Sequence, residues 1–396
     1  MPVHKTSNIY LDNSAGKPVD SRVVDSMLPY LKTSFGNPSS LHKYGQEAKQ
    51  ALDNSREKIA DLIGAEKAET IIFTSGATES NNLAIKGTAT RNRKKGNKIL
   101  TSAVEHISVI NSCKSLIRQG FQTTFSPVDS FGFLDLEKFE ENIDDQTKLV
   151  SIVYANGEIG TIQPIKKISE IVHKKDAYLH VDATAACGQI QIDVQKEGID
   201  MMTISSNDFY GPRGVGALYI KESIRIDPLI HGGGQERGLR SGTENVPSIV
   251  GFGKAAEIAR VELKSEGKRL IKIRDDIIHG LMGSIPYTFL NGHPIRRLPD
   301  NVSLRFSFIE GESILLSLAM FGVFASSGSA CTAKTLQPSH VLLAMGLKHE
   351  EAHGSLMITL GRQNTQKDAD YIKEIMPAII ERLRSMSPLT PKELKR

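Results

Sequence analysis

With 396 residues, 39% of them hydrophobic and 24% charged, the chain can bury a large core and has a length that implies about two domains, which excludes a disordered protein. No stretch approaches the roughly 18 uninterrupted apolar residues of a membrane span, and residues 1–8 are polar rather than leader-like, so a cytoplasmic protein with no membrane partner is expected. The net charge of +4 is spread over interspersed acids and bases, which excludes a nucleic-acid stripe, and Cys113, Cys187 and Cys331 are too few and scattered for a disulfide framework or a four-ligand zinc site.

Along the chain, apolar β-branched runs at 69–73, 98–102, 148–154, 178–181, 201–205 and 215–220 read as buried strands, with helical patterns between most of them. This alternation predicts an α/β fold with a mainly parallel sheet covered on both faces, whose ligands gather beyond the carboxyl ends of the strands. The periodic stretch 248–281 has no internal proline and predicts one or two long helices leading out of a first domain. A second domain follows, mixing a strand at 301–306, a helix at 312–320 and a Ser/Gly-rich segment. The basic ending 392–396 reads as a solvated tail.

Several positions carry candidate chemistry. Thr74-Ser75-Gly76-Ala77-Thr78-Glu79 follows a strand and opens a helix, presenting backbone N–H groups to a phosphate, although any strand-to-helix turn uses small residues. Asp182 ends a strand and is either the partner of a protonated ring nitrogen or a helix N-cap. His106 stands at another strand end, where it stacks on a flat ring or is simply packed. Gly232-Gly233-Gly234-Gln235-Glu236 with Arg240-Ser241-Gly242-Thr243 forms a loop suited to a phosphate or a second subunit, or an exposed glycine loop. Cys331 lies in a run of small polar residues, 326–332, that predicts an exposed thiol able to act as a nucleophile or metal ligand, or an incidental surface cysteine. Cys113 and Cys187 fall in apolar helix-like patterns and read as core.

Taken together, these motifs resemble the NifS/IscS-type cysteine desulfurases over nearly the whole chain. Tyr10-Leu11-Asp12-Asn13, Phe35-Gly36-Asn37-Pro38-Ser39-Ser40 with His42, the 74–82 run, Ala155-Asn156 with Glu158-Ile159-Gly160, Tyr210-Gly211-Pro212, the 232–245 loop, 326–331 and Gly361-Arg362 follow the family's order. The resemblance implies a fold type I pyridoxal phosphate (PLP) protein with a mainly parallel seven-stranded sheet in a large domain, 16–262. A smaller α+β domain, 1–15 with 263–396, would carry the Cys331 loop. It also implies a homodimer working in iron–sulfur cluster assembly with an IscU-type scaffold protein. By motif match, Ala77, Thr78 and Ser205 would contact the cofactor phosphate, with Thr243 reaching in from the partner subunit. His106 would stack on the ring, Asp182 would hold its nitrogen and Asn156 would approach its oxygen. Cys331 would accept sulfur as a persulfide, or act as a ligand to an iron–sulfur cluster shared with the scaffold.

Four family positions are altered. Asp208 replaces the Schiff-base lysine, and a carboxylate cannot form an imine. Asn207 replaces the preceding histidine, Ala185 a glutamine that touches the ring oxygen, and Met357 the arginine expected to grip the substrate carboxylate. Lys17, in Ala15-Gly16-Lys17-Pro18, stands where the family has an uncharged hydroxyl residue. It is either an amine supplied from elsewhere, which must come within about 3 Å of the carbon attacked, or a substituting charged residue.

The sequence alone therefore favours a desulfurase-like partner of a cluster scaffold, without normal PLP catalysis, that takes sulfur from sulfide or another donor. The alternative is an active desulfurase that binds PLP noncovalently and turns L-cysteine into alanine, with His106 or Asp208 moving protons. A third reading is a ligand-sensing or structural dimer.

Overall fold

The computed structural model describes residues 8–328 and 338–394. Its strands are β1 (Ile9–Tyr10), β2 (Ile71–Thr74), β3 (Lys98–Ser102), β4 (Gln122–Ser126), β5 (Thr147–Val153) and β6 (Tyr178–Asp182), then β7 (Met201–Ser205), β8 (Gly216–Ile220), β9 (Thr288–Leu290), β10 (Asn301–Phe306), β11 (Val323–Phe324) and β12 (Ser355–Thr359). Seven of them form the main sheet in the order β2-β8-β7-β6-β5-β3-β4. Neighbours from β7 to β4 run parallel, while β8 is antiparallel to both β7 and β2.

The strands expected from apolar runs are there, and β2, β7 and β8 are buried along their whole length. Such two-sided burial suits continuous β-branched sequence, because helices cover both faces. Strand β4 was not legible in the sequence. It is an edge strand with the polar sequence Gln-Thr-Thr-Phe-Ser, where only one neighbour and partial burial are available to pattern it.

The stretch read as one or two helices is a single helix, Val246–Ser284. The Asn245 side chain caps it by accepting from the Ser248 N–H at 3.3 Å, and Pro247 occupies its first turn, where a missing N–H costs nothing. Its first half buries Ile249, Phe252 and Ala256 in the core beside the main sheet. Its second half buries Leu270, Ile273 and Ile277 in a separate core with Ile9, Leu11, Val302, Ile358 and Ile372. Against that second core lie the three-stranded antiparallel sheet β12-β10-β9 and the parallel pair β1-β11. Cys113 and Cys187 are buried and unpaired, and burial pushes both thiols up to about 12, which leaves them inert at neutral pH. Among the described residues no helix is long and apolar enough to cross a membrane.

Candidate active site

The carboxyl ends of β3, β5, β6 and β7 lead into the segments that carry His106, Asn156, Asp182 and Asp208. Parallel pairing of these strands places their ends along one sheet edge, the ordinary location for a ligand in an open α/β sheet. All four residues line one cavity of about 290 Å³, together with Ala77, Ala185, Met357 and Lys17. Its opposite wall comes from the 12–17 segment, Asp300 before β10, and Met357 and Thr359 on one face of β12.

Asp182 is fixed on the cavity wall. Asn81 donates to its Oδ2 at 2.7 Å, and the backbone and hydroxyl of Thr184 donate to its Oδ1. Asn81 also donates to Ser108 Oγ, which lies 2.7 Å from His106 Nδ1. Because the Ser108 backbone N–H also donates to Nδ1, that nitrogen is an acceptor and the proton resides on Nε2. The helix N-cap expected as an alternative role for Asp182 is thus replaced by a buried acceptor site, while His106 itself caps helix Ile107–Ile117. Asn81, Ser108 and Thr184 were not singled out in the sequence, since each reads as an ordinary polar residue near a helix start.

The helix start after β2 offers further donors. The Ser75 N–H goes to Glu79 Oε2 at 2.8 Å, but those of Ala77 and Thr78 have no acceptor among the described residues. Gly76 has φ +149°, and a Cβ there would project into empty space, so the turn leaves an open cradle beside free N–H groups. Together the cradle and Asp182 suit a phosphate at one end and a protonated ring nitrogen at the other, and the residues fit PLP.

Asp208 sits on a short 3-10 turn, Ser206–Phe209, that continues from β7 and ends at Tyr210, whose φ of +68° reverses the chain. Loss of hydration pushes its carboxyl up to about 7, with Lys17 pulling the other way and Asp182 and Asp300 adding to the rise. Asn207 donates to its Oδ2 at 3.2 Å. Lys17 reaches in from the opposite wall: its Nζ donates to the Asp208 main-chain carbonyl at 2.9 Å and lies 3.7 Å from Asp300 Oδ2. The amine is thus held between a main-chain carbonyl and a carboxylate, the setting of an ion-pairing lysine.

Other expected positions differ in how open their side chains are. The Asn156 amide is largely committed to backbone, donating to Val104 O at 2.8 Å and accepting from the Glu158 and Ile159 N–H groups, which leaves one N–H for a ligand. Thr78 faces a neighbouring depression next to His106 rather than the main cavity. Ser205 is buried and its hydroxyl donates to Asn207 Oδ1 at 2.7 Å. Thr243 is exposed and does not line the cavity of its own chain. Cys331 lies outside the described residues.

Two further acids line the cavity unannounced by the sequence. Loss of hydration pushes Glu105 up to about 8 and Glu158 up to about 7, and one carboxylate oxygen of each has no partner among the described residues. Between the ordinary glutamate value of 4.5 and about 8, the folded chain keeps a proton on Glu105 that the unfolded chain has released. Stability contributed by this group is therefore lost as pH rises through that window. Glu105→Gln is expected to flatten the fall, raising Tm relative to the wild type more at about pH 9 than at about pH 5. Melting curves across pH check this, and a constant Tm difference would contradict it.

The aminotransferase class-V model matches residues 9–372. The chain belongs to this family. It is 60% identical over 380 residues, 96% of its length and 99% of the relative's, to "Cysteine desulfurase IscS 1" of Archaeoglobus fulgidus. Among solved structures it is similar to a "NifS-like protein" with TM-score 0.89 and 38% identity, covering 95% of this chain and 100% of that one. It is also similar to "SspA in complex with cysteine", with TM-score 0.77 and 36% identity over 89% and 99% of the two chains. The fold is that of the class-V aminotransferases and NifS-like proteins, a fold type I PLP architecture.

Proposed function

We propose that the chain is a cysteine desulfurase of iron–sulfur cluster assembly that uses PLP held without a covalent lysine. The observation that carries this reading is the Asp182 carboxylate, locked by Asn81 and Thr184 in a cavity also lined by Ala77, the residue after the open Gly76 turn, in a chain 60% identical to a cysteine desulfurase. When bound, the cofactor supplies a sink for the electron pair released at the substrate Cα. Asp182 holds the positive ring nitrogen that such a sink requires. The Ala77 and Thr78 N–H groups hold the phosphate, and Thr243, exposed on its own chain, serves the partner subunit's site in a homodimer.

Proton movement falls to Asp208 and His106. A carboxyl with a midpoint near 7 takes and returns a proton at neutral pH, and His106 Nε2, fixed by the Ser108 bonds at Nδ1, presents a single N–H. The thiol of Cys331 takes the sulfur: the substrate C–S bond breaks, an S–S bond forms, and L-cysteine leaves as L-alanine with Cys331 as a persulfide. The persulfide then passes to a scaffold protein.

A second reading, sulfur relay or cluster ligation through Cys331 without cysteine turnover, is favoured by Asp208 and Met357 together, because they remove both the covalent lysine and the arginine from the cavity. Sulfur tracing separates the two. With L-cysteine and PLP, mass spectrometry of the intact chain is expected to show one added sulfur atom on Cys331, absent from Cys331→Ala. An unmodified Cys331 would overturn the proposal.

A further inference from the structure

The cavity is short of positive charge. Six carboxyl groups line it, those of Asp12, Glu105, Glu158, Asp182, Asp208 and Asp300, and among the described lining residues Lys17 is the one lysine or arginine. An α-amino acid brings a carboxylate into these acidic walls, and an unpaired carboxylate in such a site is expelled or neutralised. Lys17 is built to prevent that. Its side chain is 5% exposed, and a lysine ammonium has three N–H donors, of which one is hydrogen-bonded among the described residues, to the Asp208 carbonyl, while the Tyr210 ring centroid lies 5.4 Å from Nζ. Asp300 Oδ2, at 3.7 Å, is an ion-pair partner beyond hydrogen-bond distance and already accepts from Gln189 Nε2 at 2.7 Å.

The backbone fixes where this cation points. Pro18 confines Lys17 to extended conformations, and Gly16 sits where a side chain would collide with the Arg213 guanidinium. The 12–17 segment is laid along β12: Asp12 bridges to Thr359, the Asn13 amide donates to the Thr359 carbonyl at 2.7 Å, and the Ser14 N–H donates to Thr359 Oγ1 at 2.9 Å. Thr359 is two residues from Met357, on the same face of the strand, and both line the cavity. Lys17 therefore belongs to the segment docked on the strand that presents the apolar Met357.

We propose that Lys17 is the anchor for the substrate carboxylate, a specificity-determining cation supplied from the 12–17 segment. The inference rests on the desulfurase reading for the identity of the substrate. With an anchor of this kind the protein accepts α-amino acids and discriminates against amines that lack the carboxylate.

Calorimetric titration of the full chain, loaded with PLP, with L-alanine and with ethylamine tests this without requiring turnover. The wild type is expected to bind L-alanine at least about tenfold more tightly than ethylamine, the scale of one charge-assisted hydrogen bond. Lys17→Gln should erase that preference by weakening L-alanine alone, and Lys17→Arg should keep it. Because Lys17→Gln leaves Asp300 unpaired, the double variant Lys17→Met/Asp300→Asn, which removes both charges, is measured beside it with the same loss expected. A wild type without preference, or a variant lacking the cation that retains it, would overturn the assignment. A preserved preference with no alanine formed from L-cysteine would instead sink the desulfurase reading and leave the anchor standing.

Discussion

Asp208→Asn is expected to lower alanine formation from L-cysteine about 10²- to 10⁴-fold, the usual worth of a positioned acid–base group. The substitution keeps the shape of the side chain and the Lys17 contact, which is to the main-chain carbonyl. It removes the capacity to carry a proton, and with it the negative charge that faces Lys17. Because the carboxylate is the base form and its midpoint is raised to about 7, the wild-type rate should climb as pH rises through that value and level off above it. The variant's residual rate should lack this limb. A rate within a few-fold of wild type, with the limb intact, would move the proton chemistry to His106 or Glu105.

Asp208→Lys is expected to create what the native chain lacks, a covalent bond to the cofactor. After loading with PLP and reduction with borohydride, the variant should carry a pyridoxyl group at position 208 in most molecules, while the native chain should carry none at Lys17 or elsewhere in the cavity. The new amine would face the Lys17 ammonium without the carboxylate that now lies between the walls. A like charge nearby lowers an amine's pKa and keeps part of it neutral and nucleophilic. Native protein labelled at Lys17 would contradict the view that this lysine acts as a cation. An unlabelled Asp208→Lys variant would mean that the cavity does not hold PLP in the orientation set by Asp182.

The main sheet was legible because both of its faces are buried, which writes β-branched runs such as 201–205 and 148–154 directly into the sequence. The edge strand β4 was not, for want of a second neighbour. His106, Asn156, Asp182 and Asp208 could be placed at strand ends and do converge on one cavity. The side chains that orient them could not be found that way. Asn81 lies 101 positions from Asp182, and Asp300 lies 283 from Lys17, so only the folded chain joins them. Glu105 and Glu158 give no sign in the sequence that they are dehydrated, because their neighbours along the chain are unremarkable and the burial comes from distant segments. Lys17 did leave a signal, a lysine before proline where the resemblance leads one to expect an uncharged hydroxyl residue. Its partners decide its role, and they are contributed by the turn after β7 and the approach to β10.

Whether cysteine chemistry proceeds here without the family lysine is decided by the amount of alanine formed when purified native protein, supplied with PLP and a reducing thiol, is given L-cysteine. Alanine in excess of protein is expected, matched by released sulfide and lost in Asp208→Asn. Alanine no higher than in a control with PLP alone would contradict that expectation and leave Cys331 as a carrier of sulfur that another enzyme supplies.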